Sequence, residues 1–427
     1  MIDKKFIERA TALYGKLPQE RSEIYKGYFV NIPFELKDYV ATVIDADAEK
    51  RELEGLLIRE FGGLNVKFDL AIGSSTHIST NSAYVKVKKS KELTGKEATT
   101  CMHNSGEDKY TAFIDAYTEG YVFVEVPDGK EVKLSILFSN GNRALNTLVY
   151  ISAGKGSKLS LSEMYTSRAS VASSLGVIHE VRAEKSSFVE INSVHNENAN
   201  TVVLGVCEGR VEGNGALVFN SLYSGGSHTR VRNSVEASGI GSRVEVNEVV
   251  VGSAEQKFDV NTAITNAGKK TGAKLSSKAA LMDASLCMLK GFAKVKKGAA
   301  GAESDVHQRG IMLDKGTRMY ALPDMSVDEQ DVKATHSSAT APVDEESVFY
   351  MASRGVDGQD VRKLIVTGFF SNEMSRMSDY AMREICVSLI REKLKNKTFG
   401  QNTKIGTADM WAARERLPAN GCEDRKR

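Results

Sequence analysis

Gly156-Ser-Lys-Leu-Ser-Leu161, Ser186-Ser-Phe-Val-Glu-Ile191, Asn214-Gly-Ala-Leu-Val-Phe219, Gly241-Ser-Arg-Val-Glu-Val246 and Gly272-Ala-Lys-Leu-Ser-Ser277 share one pattern. A small or turn-forming pair is followed by any residue, an apolar residue, any residue, and usually a second apolar one. Weaker copies open at Gly129 and Gly301, so successive starts lie 27, 30, 28, 27, 31 and 29 residues apart. Alternation with period two marks a strand with one buried face. Held at this spacing, it describes a solenoid, here a β-helix, in which each coil buries its face only against its neighbours. A propeller would need about 40 residues per blade and a blade signature. A coil stack has two ends that must be covered, because open strand edges recruit other chains.

The flanks read differently. Phe6, Ala10, Leu13, Tyr14 and Leu17 recur at helical spacing up to Pro18, and Leu53, Leu56, Leu57 and Phe61 mark a second amphipathic helix ended by Gly62-Gly63. Ala83 to Val87 reads as a strand, Lys109 to Tyr117 as a helix, and Tyr121 to Val126 as a strand closed by Pro127-Asp-Gly129. Past the repeats, Asp344 opens a helix that carries Val348, Phe349 and Ala352 and closes at Gly355; Asp357 opens another with Val361, Leu364, Ile365 and Phe369. Ala381, Ile385, Cys386, Leu389 and Ile390 form the stripe of a third. The expected division is an α-rich region over 1–108, the β-helix core over 109–336, a helical domain over 337–396 and a polar extension over 397–427.

Of the 427 residues, 41% are apolar and 26% charged, the composition of an ordinary folded chain. Thirty-six glycines against six prolines fit many tight turns between short extended segments. Fifty-seven Lys and Arg nearly cancel 55 Asp and Glu, so no global field invites nucleic acid or an anionic membrane. No apolar run approaches the roughly 18 residues of a membrane span. Five unpaired-looking cysteines fit reduced thiols, and the expected compartment is the cytoplasm. No phosphate-cradling G-x-x-x-x-G-K-[ST] string occurs, which argues against ATP hydrolysis by this chain. Cys101-Met-His103 offers two ligands where a closed zinc site needs four. Cys207, Cys287 and Cys386 lie in apolar surroundings and read as small core residues, whereas Cys422 reads as an exposed thiol. His195 and His228 read as turn residues. On these grounds alone a β-helix enzyme acting on a polysaccharide stays open.

Two longer strings narrow the choice. Lys109 to Val132, with its helix running into a strand that ends Val126-Pro-Asp-Gly129, resembles the entry to the core of the SufB/SufD family. Asp331-Val-Lys-Ala-Thr-His336, then Asp344-Glu-Glu-Ser-Val-Phe-Tyr-Met-Ala-Ser-Arg-Gly-Val356 and Gly368-Phe369, resemble its C-terminal signature. The resemblance spans about 109–395 and implies a right-handed parallel β-helix flanked by helical domains. It also implies a non-hydrolytic assembly scaffold for iron–sulfur clusters, a dimer with a SufB-type subunit or with itself, and a separate ABC-type ATPase, SufC, as partner. The helices from Asp344 to Phe370 become the expected ATPase contact, with Phe349, Tyr350, Arg354 and Gly355 in the matching motif, although Phe349 and Tyr350 as adjacent helical residues read first as core. Where SufB-type members carry an acceptor cysteine this chain has Arg309, which has no lone pair for iron. His336 is retained. The combination resembles the SufD side of the family and makes His336 a candidate ligand for iron or a transient cluster, with His307 as a weaker one. A SufB-type acceptor using Cys207 or Cys287 is the alternative. Reduced flavin is implied for some complexes of the family, with no residues to assign.

Overall fold

The computed structural model describes residues 4–17, short segments between 22 and 93, and residues 108–118, 120–141, 144–168 and 171–395. The Leu53 to Leu57 part of the expected second helix, Cys101, His103, Cys422 and the extension after 395 lie outside the described residues. Phe61 is not helical: Ile58–Phe61 is a strand paired antiparallel with Leu64–Lys67. A Gly-Gly pair between two short apolar runs is a hairpin signal as much as a helix stop, and pairing decided between them.

From Gly120 the chain alternates between two sheets. Gly120–Val126 enters one and Glu131–Asn140 the other, and the alternation continues to Arg318–Val327 and Val332–Pro342. Each strand pairs in parallel with the strand two elements away, which makes eight two-stranded coils of a parallel β-solenoid. One corner of each of the first seven coils is built the same way. Gly129, Gly156, Ser186, Asn214, Gly241, Lys270 and Gly301 all have φ between 55° and 73°. Their N–H groups donate in turn to the carbonyls of Lys155, Lys185, Gly213, Ile240, Lys269, Ala300 and Asp331, each one coil further on. The next residue often closes the turn with its hydroxyl: Ser157, Ser187, Ser242 and Thr271 donate to the carbonyls of Gly154, Glu184, Gly239 and Gly268. Left-handed backbone costs a non-glycine residue roughly 1–2 kcal/mol, which is why small turn residues mark the period. One copy is shifted relative to its sequence reading. Arg243 pairs with Gly272, so that coil turns at Lys270 and not at Gly272.

Side chains at alternate positions fill the lumen. Phe138, Tyr165, His195 and Tyr223 stack there, with ring centroids 4.6, 4.3 and 5.1 Å apart. His195 is therefore a buried strand residue and not a turn; its Nδ1 lies 2.8 Å from Glu197. Buried His179, 2.8 Å from Glu163, is a second such pair. His228 likewise opens a strand, His228–Ala237. Burial, and to a lesser degree Lys257, lowers its imidazole to about 4. The unfolded chain then binds more protons than the folded one between about 6.5 and 4, so stability is full above that window and falls as pH drops through it. Denaturant midpoints at pH 7 and 4.5 are expected to lie closer together in His228→Gln than in the parent, and an unchanged gap would refute this assignment.

Helices cover both outer sheet faces. Helix α1 (Lys4–Lys16) and helix α2 (Lys109–Ala116, capped by Asp108) lie over the first coils of the nine-stranded sheet, where Tyr14, Phe113 and Ile114 meet Tyr121, Leu148 and Ile178. Helices α3 (Glu345–Ser353), α4 (Gly358–Ser375) and α5 (Tyr380–Lys395) belong to the other face: Val361, Val366, Phe370, Ile385 and Leu389 share one apolar cluster with Leu137, Met164, Val194, Leu222 and Val249 of the ten-stranded sheet. No helix among the described residues is long and apolar enough to cross a membrane.

Candidate functional site

Strands Arg318–Val327 and Val332–Pro342 are the outermost of their sheets, so among the described residues the last coil has no neighbouring strand on one side. Cross-strand pairing places His336 at the end of one inward-facing row: Leu134, Leu161, Ile191, Phe219, Val246, Leu275, Val306, His336. The seven residues before it are buried and apolar. Each stabilises the stack by about 1.5–3 kcal/mol relative to exposure. His336 breaks the row where the lumen ends, and it is exposed although it occupies an inward position. Around this mouth the facing strand sets Met319, Pro323 and Met325 in line with Cys287, Gly291 and Ala293 of the coil beneath.

His307 does not join His336. It sits one residue from Val306 on the adjacent strand, and successive strand residues point to opposite faces, so His307 and Arg309 face outward. There the His307 Nδ1 lies 2.6 Å from Ser337 Oγ, and its Nε2 lies 2.8 Å from Asp305 Oδ2. The cysteines are elsewhere again. Cys207 stands in the lumen between His179 and Asn233, and Cys287 between Phe258 and Met319, both sealed from solvent. Burial pushes both thiols up, far from the thiolate that ligates or attacks. Cys386 is buried in α5 with its Sγ 3.7 Å from Met377 Sδ.

The C-terminal helices overturn one reading and extend another. Phe349 and Tyr350 are not core: each is 56% exposed, because α3 buries only Val348 and leaves the rest of its circumference in solvent. Arg354 stacks 5.0 Å from the Tyr350 ring centroid and donates to its hydroxyl at 3.0 Å; Gly355 ends the helix with φ 90°. Leu364, expected in the apolar stripe of α4, is 59% exposed, while Val361, Val366 and Phe370 are buried. These helices are tied to the solenoid by polar contacts as well as apolar ones. Ser162 donates to Asp379 at 2.6 Å, the Ser378 N–H to Glu190 at 2.8 Å and Arg376 to Asn247 at 3.0 Å; Lys278 lies 2.6 Å from Glu373.

Residues 136–369, more than half of the chain, match the family model described as SUF system FeS cluster assembly, SufBD core domain. The chain belongs to the SufBD family. Among SufBD relatives, the iron–sulfur cluster assembly protein SufD of Bacillus subtilis is 25% identical over 295 residues, 68% of each chain. A SufBD family protein of Pyrococcus horikoshii is 22% identical over 344 residues, 79% of this chain and 76% of its own. One of Methanothermobacter thermautotrophicus is 24% identical over 279 residues, 63% of this chain and 67% of its own. The match supports the SufD-like resemblance.

The SufBD signature around His336 is also a copy of the repeat. Asp331-Val-Lys-Ala-Thr-His336 begins 30 residues after Gly301 and has the strand alternation of the other coils, with His at the second apolar position. The signal was in the periodicity, since extending the pattern by one coil puts His336 where six of the seven earlier copies carry an apolar residue. The Asp305, His307 and Ser337 contact had no such signal, because it joins residues 30 apart through register alone.

Proposed function

We propose that this chain is a SufD-like subunit of an iron–sulfur cluster assembly complex, a scaffold that lends the His336 imidazole to iron or a nascent cluster at the surface it shares with a second chain. The observation that carries the reading is the apolar row that ends in an exposed histidine at the uncovered end of the lumen. A neutral imidazole has a lone pair for iron, and His stands beside Cys in some iron–sulfur centres. Among the described residues no group of three or more His, Cys, Asp and Glu is placed to hold a metal ion, so the remaining ligands come from the cargo or from the second chain. That chain is a SufB-type subunit or another copy of this one; two open strand edges are available to it. A SufB-type acceptor role would require a reachable thiolate, which Cys207 and Cys287 do not offer. The test is anaerobic cluster reconstitution on the purified complex with His336 replaced by valine, which is expected to lose cluster while the complex still forms.

The same reading places a SufC-type ABC ATPase on α3 and α4. Phe349, Tyr350 and Leu364 present exposed apolar surface there, and the polar ties from α4 and α5 to the sheet carry a pull on these helices into the solenoid. Removing everything after Ala341 would strip the cover from Leu137, Met164 and Val194, so point variants are the better test. Phe349→Ser with Tyr350→Ser is expected to weaken ATPase binding by at least 2 kcal/mol, about 30-fold, as for a pair of aromatic hot-spot residues. Titration calorimetry with the SufC-type protein checks this; unchanged affinity would move the docking surface elsewhere.

A further inference from the structure

We propose that Ser337, activated by His307 and Asp305, is a nucleophile toward activated esters on the outer face of the last two coils. His307 and Ser337 are direct cross-strand partners, and Asp305 precedes His307 by two residues on the same face. The His307 ring uses both nitrogens, Nδ1 at 2.6 Å from Ser337 Oγ and Nε2 at 2.8 Å from Asp305 Oδ2, while Thr335 donates to the other carboxylate oxygen. A carboxylate only accepts, so the ring proton sits on Nε2 and the Nδ1 lone pair is left to accept from the Ser337 hydroxyl. Nucleophile, base and orienting carboxylate thus stand in the order that acyl transfer requires, with the two ring nitrogens exchanged relative to the usual triad.

Access is open. The His307 side chain is 52% exposed, and Ser337 lies on an edge strand whose outer side presents unpaired backbone N–H groups. Arg309, two residues beyond His307 on the same face and paired with Ala339, adds positive charge to that face. This site is separate from His336, which faces the lumen from the same strand.

In the step, Ser337 Oγ forms a bond to the acyl carbon as its proton passes to His307 Nδ1. The ester C–O bond breaks, and the leaving alkoxide takes that proton. Water then attacks the acyl-serine with His307 again as base, releasing the carboxylic acid and restoring Ser337.

The experiment is incubation of the full-length chain with p-nitrophenyl acetate, following p-nitrophenolate release and locating acetyl groups by peptide mass spectrometry. Acetyl is expected on Ser337 and not on Ser338, its exposed neighbour on the opposite face. Ser337→Ala is expected to abolish the adduct and His307→Gln to slow its formation about 100-fold, the lower end of a general base's contribution. Asp305→Asn, which keeps the side-chain volume, is expected to slow it at least 10-fold and serves if His307→Gln fails to fold. Equal acetylation of Ser337 and Ser338, or an unchanged rate in a folded His307 or Asp305 variant, would overturn the proposal.

Discussion

His336→Val is expected to leave the solenoid folded and the complex assembled while cluster reconstitution on the complex falls to the background of a protein lacking that ligand. Valine continues the row of Val246, Leu275 and Val306 and makes no demand the last coil cannot meet. An apolar residue at this position is what seven coils already carry. The substitution therefore separates structure from chemistry, since stability stays equal or rises slightly while the imidazole lone pair is gone. Denaturant midpoints and co-purification report the first part, and anaerobic iron and sulfide content with the visible spectrum report the second. If the valine variant binds partner and loads cluster like the parent, His336 is only the end of a row and the ligand assignment is wrong. If it fails to pair with its partner, the histidine acts in the interface and not on iron.

Gly239→Ala should be among the most damaging single changes in the coil stack. A methyl group there would stand 2.0 Å from the Gly213 nitrogen and 2.5 Å from the Glu212 carbonyl carbon, both backbone atoms of the coil beneath. The coil above approaches in the same way, since a methyl group at Gly268 would meet the Gly239 and Ser238 carbonyl oxygens at 2.7 Å. Backbone cannot move aside as a flexible side chain can, so two coils must separate and the corner bonds from Asn214 to Ile240 and from Gly241 to Lys269 must stretch. The expected cost is about 3 kcal/mol, the upper part of the overpacking range. Because each coil is stabilised by its neighbours, the loss is expected to broaden the unfolding transition as well as shift it. Urea unfolding followed by circular dichroism checks both; a midpoint within error of the parent would mean that the coils can spread locally at no cost.

Much of this is legible in the sequence alone. The corner residues identify themselves because a left-handed turn is a local demand, met by glycine, asparagine and serine wherever it recurs, and the alternation after each corner is equally local. The helix starts at Asp344 and Asp357 were visible for the same reason: a capping carboxylate needs only the N–H groups two or three residues on. Where a shorter signal competed, local reading failed. The run ending at Phe61 carries apolar spacing that serves a helix or a hairpin, and partner strand Leu64–Lys67 made the choice.

What the sequence by itself determined was the period, the chemistry of the corner, the existence of a coil stack between helical flanks, and a family signature centred on His336. Only the tertiary structure decided register and cover. It moved one corner from Gly272 to Lys270, because hydrogen bonds between coils about 30 residues apart set the pairing. It put His336 inward and His307 outward, because a strand reverses its side chains at every residue, and it joined Asp305, His307 and Ser337 through a pairing no local pattern announces. It also left Phe349, Tyr350 and Leu364 in solvent, because an apolar residue is buried only if some other element reaches it, and nothing in a helix's own sequence says which side will be reached.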